Sequence, residues 1–279
     1  MKTKGEKMKP KKFNHFSLLF ISMIFIATPV FTQGIIVDHK CTDVSKIPDK
    51  WVKNAKSQIK LHYAHTSHGG QLIAGIERLA NSSLPVYDPR LKYALKESQL
   101  PISPDLCIMD GQLNTSYVGS DLYWRNGGES YPRKTLKIYP SINVSMFSWC
   151  SELNYYTPEY LNDGYLTIMS ELEKEFPQVI FVYMTGNAQL TGELGYTRHM
   201  RNEQIRKFCR ENKKVLYDFA DLDSWYNGEQ ATFFYNGQEI PVEHPHYRGN
   251  ECMHTTYESC ENKGKAFWWL LARIAGWND

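Results

Sequence analysis

Hydrophobic residues after position 57 follow two alternating spacings. Short apolar runs of strand length alternate with stretches in which apolar residues recur every three or four positions, the spacing of one helix face. Between 71 and 80, for example, Leu72, Ile76 and Leu79 share a face. Such alternation is typical of a mainly parallel sheet covered by helices on both sides, a three-layer α/β/α domain. The predicted strands are 58–65, 143–149, 179–185 and 215–219, and the predicted helices are 71–80, 161–176, 201–212 and 264–277.

Two long segments, 110–140 and 221–250, show neither spacing and are rich in Gly, Asn, Tyr and Trp. Loops of this length in a compact domain are usually functional or disordered, and parallel sheets bind ligands beyond the carboxyl ends of their strands. We therefore expect these segments to form walls of a site. Trp124, together with Trp149, is a candidate substrate contact, because aromatic rings stack on sugar faces. Ordinary core packing is the alternative.

The first 34 residues differ from the rest of the chain. A basic start is followed by an apolar run at 16–31 and then by small or polar residues, the order found in a secretory signal peptide. An uncleaved anchor is the rival interpretation, but this run of 16 residues is shorter than the roughly 20 that span a bilayer. We therefore predict a signal peptide at 1–34 and one domain at 35–279. The mature protein is expected to be secreted or periplasmic, without stable membrane association.

The charge balance depends on that division. The leader contains six of the 32 basic residues and one of the 30 acidic residues, which leaves 26 basic and 29 acidic residues in the domain. A slightly acidic domain has no basic surface that would favour nucleic acid as a partner. The expected partner is instead a small ester or an acylated glycan.

Six cysteines lie in the predicted domain, and none is in a C-x-x-C spacing. Neither a zinc ribbon nor a thioredoxin-like redox site is therefore indicated. An even number in an exported chain permits disulfides without fixing their pairing. Cys252 and Cys260 are close enough in sequence to close one loop, and this is the pair that we predict.

Two short blocks contain residues suited to nucleophilic catalysis. The first, His65-Thr66-Ser67-His68-Gly69-Gly70, joins a predicted strand to a predicted helix, where free N–H groups favour a developing negative charge. Ser67 is a candidate nucleophile there, and capping of the helix is its alternative role. The second block places Glu251 three residues before His254. An imidazole can take the proton of a serine, and a carboxylate can orient that imidazole. A surface histidine is the alternative.

Together these blocks resemble the SGNH (GDSL-like) hydrolase superfamily, in which a serine lies in an N-terminal block and a D-x-x-H block lies near the chain end. The stretches HTSHGGQ, MDGQ, NVSMFSWCSE, FVYMTG and KGKAFWWLLARIAGW look like a bacterial group of secreted SGNH-like proteins. This chain departs from the superfamily pattern in three places. His65 and Thr66 replace the usual Gly-Asp before the serine, Glu251 replaces the usual aspartate, and the sequence contains no G-x-N-D block.

The resemblance implies a flavodoxin-like sheet and assigns roles by position. Ser67 would be the nucleophile, His254 the base and Glu251 its orienting acid, unless an aspartate at 218, 221 or 223 replaces Glu251 or a dyad suffices. The oxyanion would be held by Ser67, Gly111 and an amide, for which Asn187 is our choice. Counting strands points instead to 150–152, with Asn154 nearby. His65 would contact the substrate.

The implied function is a secreted serine esterase that removes small acyl groups, with a glycan as the preferred acceptor and without a cofactor. A non-catalytic carbohydrate-binding or surface protein on the same scaffold is the alternative. The distance between Ser67 and His254 separates the two. His62, His65 and His68 recur every three residues and suggest a metal site, but the first two point to opposite faces of a strand. We therefore predict no metal, although His244 and His246 add further candidate ligands.

Overall fold

The computed structural model describes Met1 and residues 34–278, so that nearly all of the predicted signal peptide lies outside the described residues. Seven strands form one sheet, and every neighbouring pair in it is parallel. The strands are β1 (Ile36–Val37), β2 (Lys60–Ala64), β3 (Tyr93–Glu97), β4 (Leu106–Asp110), β5 (Val144–Phe147), β6 (Ile180–Met184) and β7 (Val215–Tyr217).

The order of the strands across the sheet is β1-β7-β6-β5-β2-β4-β3. Its central part, β7-β6-β5-β2-β4, has the flavodoxin-like order, and β1 and β3 extend the two edges. The chain leaves β2 toward β4 on one side and returns to β5 on the other, so the direction of winding reverses between β2 and β5. Ligands of open parallel sheets bind at such a reversal, beyond the carboxyl ends of the strands. The predicted fold class is confirmed.

Helices flank this sheet on both faces. They are α1 (Asp49–Gln58), α2 (Gly70–Ala80), α3 (Ser130–Ile138), α4 (Pro158–Leu161), α5 (Thr167–Glu175), α6 (Gly192–Glu211), α7 (Phe219–Ser224) and α8 (Tyr257–Ile274), and a π-helical turn at Asn162–Leu166 joins α4 to α5. Helices α1, α2 and α8 pack together, while α5 and α6 pack against β6. Among the described residues, no helix is both long and apolar enough to cross a membrane.

The contact between α2 and α8 depends on glycine. A Cβ atom on Gly75 would lie 2.0 Å from the carbonyl oxygen of Cys260, and one on Gly264 would lie 2.6 Å from the carbonyl carbon of Gly75. The two backbones therefore approach closely, which fixes α8 against α2, the helix that follows β2. Phe267 and Trp268 of α8 are buried in the core, as their apolar spacing predicts.

Several elements differ from the sequence prediction. Strand β4 lies between β2 and the edge strand β3 and was not predicted, although all five of its residues are buried. Helix α6 begins at Gly192, earlier than the predicted 201. Its first half was not predicted because it buries Arg198 and has no apolar stripe. The long segment 221–250 contains two hairpins, β8 (Trp225–Tyr226) with β9 (Glu229–Gln230) and β10 (Thr232–Tyr235) with β11 (Gln238–Pro241).

Candidate active site

Three neighbouring strands end beside one another at the candidate site. Strand β2 leads into the turn 65–69, β5 leads into 148–150, and β6 leads into 185–189. The loop 251–255 lies beside the start of α2 and completes the site. The reversal of winding between β2 and β5 therefore coincides with the two blocks that the sequence predicted to carry chemistry.

The turn after β2 is held closely against the sheet. The hydroxyl of Tyr63 donates to the carbonyl oxygen of Gly69 at 2.9 Å. A Cβ atom on Gly69 would lie 2.3 Å from the Cβ atom of His65 and 2.8 Å from that of Ser148, so only glycine fits there without movement of its neighbours. This tight turn places the side chain of His68 over the end of β5.

A thiol, an imidazole and a hydroxyl meet at this point. The Sγ atom of Cys150 lies 3.3 Å from Nδ1 of His68 and 3.5 Å from Oγ of Ser67. His68 is buried, while Cys150 and Ser67 are partly exposed. The arrangement is that of a nucleophile in hydrogen-bond contact with a base, at a position that a substrate can reach.

Gln189 orients the imidazole from its other side. Its Oε1 atom lies 2.8 Å from Nε2 of His68, and its Nε2 atom donates to the carbonyl oxygen of His254 at 2.8 Å and to Oε1 of Glu243 at 3.3 Å. A carbonyl and a carboxylate only accept, so the amide nitrogen faces them and the amide oxygen faces His68. Nε2 of His68 therefore holds a proton, and Nδ1 is left to exchange a proton with Cys150.

The pKa values of the pair favour its charged form. The hydrogen bond from His68 is the largest influence on Cys150 and lowers the pKa of that thiol to about 7, against the opposing effect of burial. Burial acts to lower the pKa of His68, but its hydrogen bonds to Cys150 and Gln189 outweigh burial, and the pKa is raised. At neutral pH a large fraction of Cys150 is therefore thiolate, the nucleophilic form.

The backbone around Cys150 is anchored on three sides. The side-chain amide of Asn187 donates to the carbonyl oxygen of Cys150 at 2.7 Å, and the Cys150 N–H donates to Oε2 of Glu152 at 2.8 Å. The indole N–H of Trp149 donates to the carbonyl oxygen of Met184 at 2.7 Å. These bonds join the ends of β5 and β6 and fix the thiol relative to the imidazole.

Ser67 and His254 lie at the same edge of the sheet, as the sequence predicted. The His254 ring is exposed and lies against that of His68, with 5.1 Å between the ring centroids. The hydroxyl of Ser67, however, makes its hydrogen bond with Cys150. The structure thus brings the predicted serine and histidine to one site, but it places the imidazole of His68, rather than that of His254, beside Cys150.

Glu251 does not contact the His254 ring. Its Oε2 atom accepts from the backbone N–H of Tyr257 at 2.7 Å, near the start of α8. The predicted orienting role of Glu251 is therefore not seen in this geometry, because the carboxylate serves the helix end. The alternative aspartates also have other partners: Asp218 pairs with Arg206, Asp221 with His39, and Asp223 with Lys263.

Two of the three predicted oxyanion donors, Gly111 and Asn187, are engaged elsewhere. The N–H of Gly111 donates to the carbonyl oxygen of Tyr63 at 2.8 Å, and the amide of Asn187 donates to a backbone carbonyl oxygen. Within residues 34–278, the backbone N–H groups of Ser67 and His68 have no acceptor. These two groups are therefore the better candidates to hold an oxyanion next to Cys150.

Three predicted substrate contacts are largely enclosed. His65 directs Nε2 to Asp110 and Nδ1 to the carbonyl oxygen of Thr66, each at 2.8 Å. Trp149 is only 1% exposed, and Trp124 is only 3% exposed. The prediction that these two rings stack on a substrate is corrected, because they pack against each other in an aromatic cluster. An edge of Trp124 borders a surface cavity of about 580 Å³ that Tyr160 also lines.

Among residues 34–278, the histidines at 62, 65 and 68 do not form a shared metal site. His62 is buried and bonded to Ser145, and His65 and His68 have the separate partners described above. Asp38, His39 and Asp221 do bring one ligand atom each within 4.8 Å of one another. Asp221, however, already accepts from the backbone N–H of His39 and pairs with its ring. No additional observation indicates a bound cation there.

None of the six cysteines, which all lie within residues 34–278, forms a disulfide in the structure. Burial raises the pKa of Cys260 to about 12, and nearby Cys252 acts in the same direction. A disulfide between these two neighbours stays a prediction.

Comparison with known proteins gives no relative: no protein-family model matches the chain, and no curated protein matches it. Support for a function therefore comes from the geometry of the site.

Sequence reasoning did not predict the contacts of His68 with Cys150 and Gln189. His68 stood in the predicted block, one residue after Ser67, but was not chosen. Cys150 was reached only by counting strands to a third block, and as an oxyanion candidate. No pattern in the sequence pointed to Gln189, which is 121 positions beyond its partner His68.

Proposed function

We propose that the protein is an exported acyl hydrolase in which Cys150 is the nucleophile, His68 is the base and acid, and Gln189 orients His68. The supporting observation is the continuous chain of contacts from Cys150 through His68 to Gln189. A thiol, a histidine and a side-chain amide in this order form a cysteine variant of the catalytic triad.

The proposed reaction proceeds in two acyl transfers. The thiolate of Cys150 attacks the ester carbonyl carbon and forms a carbon–sulfur bond, and the N–H groups of Ser67 and His68 hold the oxyanion. The carbon–oxygen bond then breaks, and His68 gives its Nδ1 proton to the departing alkoxide. Water next gives a proton to His68 and attacks the thioester. The carbon–sulfur bond breaks, which releases the acid and restores the thiolate–imidazolium pair.

The resemblance to SGNH hydrolases leads to a second candidate of the same reaction class, with Ser67 as nucleophile and His254 as base. It is favoured by the position of both side chains at the same edge of the sheet. In this alternative Cys150 would be a neighbour of the nucleophile, and the Ser67 hydroxyl would have to turn from it toward a histidine. Membership of the superfamily stays a prediction that the sheet order supports.

We propose an acylated glycan as the substrate class. Tyr117, beyond the end of β4, and Tyr155, beyond the end of β5, are 63% and 68% exposed. Exposed rings next to the strand ends suit the flat faces of sugars. The predicted leader supports export. The non-catalytic alternative, a carbohydrate-binding protein, retains these same surfaces without requiring a reactive thiol.

Two reagents distinguish the nucleophiles. Iodoacetamide at pH 7, followed by peptide mapping, is expected to label Cys150 before the other cysteines, and a fluorophosphonate probe would instead label an activated Ser67. Turnover of p-nitrophenyl acetate should be lost in Cys150→Ala and kept in Cys252→Ser, a matched change of a partly exposed thiol outside the chain of contacts. Loss in Ser67→Ala with full activity in Cys150→Ala would establish the serine mechanism, and activity in neither wild type nor variant would favour the binding protein.

A further inference from the structure

The carboxylate of Glu243 lies directly behind Gln189. Glu243 follows β11, is 5% exposed, and its backbone N–H donates to the carbonyl oxygen of Ala188 at 2.7 Å. Its Oε1 atom accepts from Nε2 of Gln189 at 3.3 Å and from the hydroxyl of Thr255 at 3.2 Å. One carboxylate thus joins the segment after β6 to the loop that follows His254.

We infer that Glu243 is a positioning residue that acts through Gln189 on the proton of His68, an inference that rests on the proposed function. An ionised carboxylate only accepts, so it requires the amide nitrogen of Gln189 on its side. The amide oxygen is thereby turned toward Nε2 of His68, and the proton stays on that nitrogen. Nδ1, which faces Cys150, is then the atom that exchanges a proton with the thiol.

The fixed charges around Glu243 come from three helices. Asp223 of α7 lies opposite it, Lys263 of α8 pairs with Asp223 at 2.7 Å, and buried Arg198 of α6 binds the carbonyl oxygen of Leu190. Burial, the largest influence, and then Asp223 raise the pKa of Glu243 to about 7, against the opposing charge of Lys263. Protonated Glu243 can donate to the amide oxygen of Gln189, so it no longer requires the amide nitrogen on its side.

Thr255 and the backbone carbonyl of His254 also limit how far the side-chain amide of Gln189 can turn. The His254 carbonyl also accepts from Gln189 Nε2, and the loop that presents it has Met253 and His254 in the left-handed region, with φ of 47° and 73°. Non-glycine residues rarely adopt this conformation unless neighbours hold them there. Glu243, through Thr255, is one of the groups that hold this loop, so its effect on Gln189 is both direct and through the loop.

The test is the pH dependence of Cys150 alkylation by iodoacetamide, because this reports the thiol–imidazole contact without requiring turnover. In Glu243→Ala the alkylation midpoint should rise from near pH 7 toward pH 8, which slows labelling at pH 7 about fivefold. Gln189→Ala should give a similar change, and the double variant no further change, because both act on the same imidazole. Glu243→Gln keeps an accepting oxygen and should restore most of the lost reactivity.

Glu239→Ala is the matched control, since this exposed carboxylate lies on β11 and accepts a hydrogen bond from the hydroxyl of Thr232. An unchanged alkylation midpoint in folded Glu243→Ala, or additive effects of the two alanine changes, would overturn the inference. If Glu243→Ala does not fold, Glu243→Gln decides. A midpoint shifted less than in Gln189→Ala supports positioning, and a midpoint shifted as far overturns it. Retained turnover in Cys150→Ala would refute the proposed function alone, because alkylation still reports on Glu243.

Discussion

His65 and His68 stand three residues apart on one turn, on either side of Ser67, and the structure gives them different surroundings. Both ring nitrogens of His65 face oxygen atoms that accept, the carboxylate of Asp110 and the carbonyl of Thr66. His68 has one accepting oxygen and one thiol. Of the two rings, only that of His68 has the thiol of Cys150, the proposed nucleophile, against one of its nitrogens. The partners on both nitrogens, rather than the position next to a serine, therefore decide which histidine serves catalysis.

The comparison also divides the edge of the sheet into two parts. The ends of β2 and β4 are joined by an ion pair whose two side chains are little exposed, 12% for His65 and 11% for Asp110. The ends of β2, β5 and β6 are joined by Ser67, Cys150, His68 and Gln189. The first part holds the turn, and the second part carries the proposed chemistry. Changes at the ends of β2, β5 and β6 are therefore expected to lower activity more than stability. Changes at the ends of β2 and β4 are expected to lower stability more than activity.

The largest effect is expected from removal of the base. His68→Ala should lower kcat/KM for p-nitrophenyl acetate by about 10³-fold, within the range for a general base, and should also slow iodoacetamide labelling of Cys150 at neutral pH. His65→Ala is the matched control on the same turn and should retain kcat/KM within about threefold. Equal losses in the two variants would remove the distinction between the histidines.

The next effect concerns pH. The pKa of Cys150 is lowered to about 7, mainly by His68. The thiolate is the ionised form, so it is present above that pKa and is lost as the pH falls through it. The rate of acylation, measured by single-turnover kinetics, should therefore fall about tenfold for each pH unit below 6. In His68→Ala the midpoint of this dependence should move to higher pH, because the hydrogen bond that lowers the pKa of the thiol is lost.

A third effect falls on stability. Asp110→Asn removes the charge that faces His65 and leaves the partner in a largely enclosed position. We expect the free energy of unfolding to decrease by about 2 kcal/mol, as for loss of one partner of a charged hydrogen bond. Urea unfolding at pH 7 measures this. A loss below about 0.5 kcal/mol, or a large loss of kcat in a fully folded variant, would place Asp110 with the chemistry rather than with the turn.

The sequence predicted the fold better than it predicted the site. Apolar periodicity located β2, β5, β6, β7, α2 and α8, because these elements bury continuous runs or stripes. The two hairpins went unpredicted although Asn227-Gly228 and Asn236-Gly237 occupy their turns with positive φ at both residues, the geometry for which Asn-Gly is favoured. That signal was available in the sequence.

The site was predicted in place but not in detail. The turn around Ser67 and the strand count to 150–152 both point to the reversal of winding. Which nitrogen of which histidine meets which partner depends on contacts between residues far apart in the chain, such as Gln189 with Glu243, 54 positions on. Glu251 of the E-x-x-H block binds a free N–H group at the start of α8, a contact that the spacing did not predict.

The smallest effect is expected at Glu251. Because its carboxylate accepts from the Tyr257 N–H, Glu251→Gln should keep a weaker form of that bond and Glu251→Ala should lose it, at a cost of about 1 kcal/mol in the free energy of unfolding. Both variants should leave kcat/KM unchanged within about twofold. In the serine mechanism Glu251 would orient His254, and Glu251→Ala would then lower kcat far more than stability. This variant therefore tests whether the second sequence block serves the helix or the reaction.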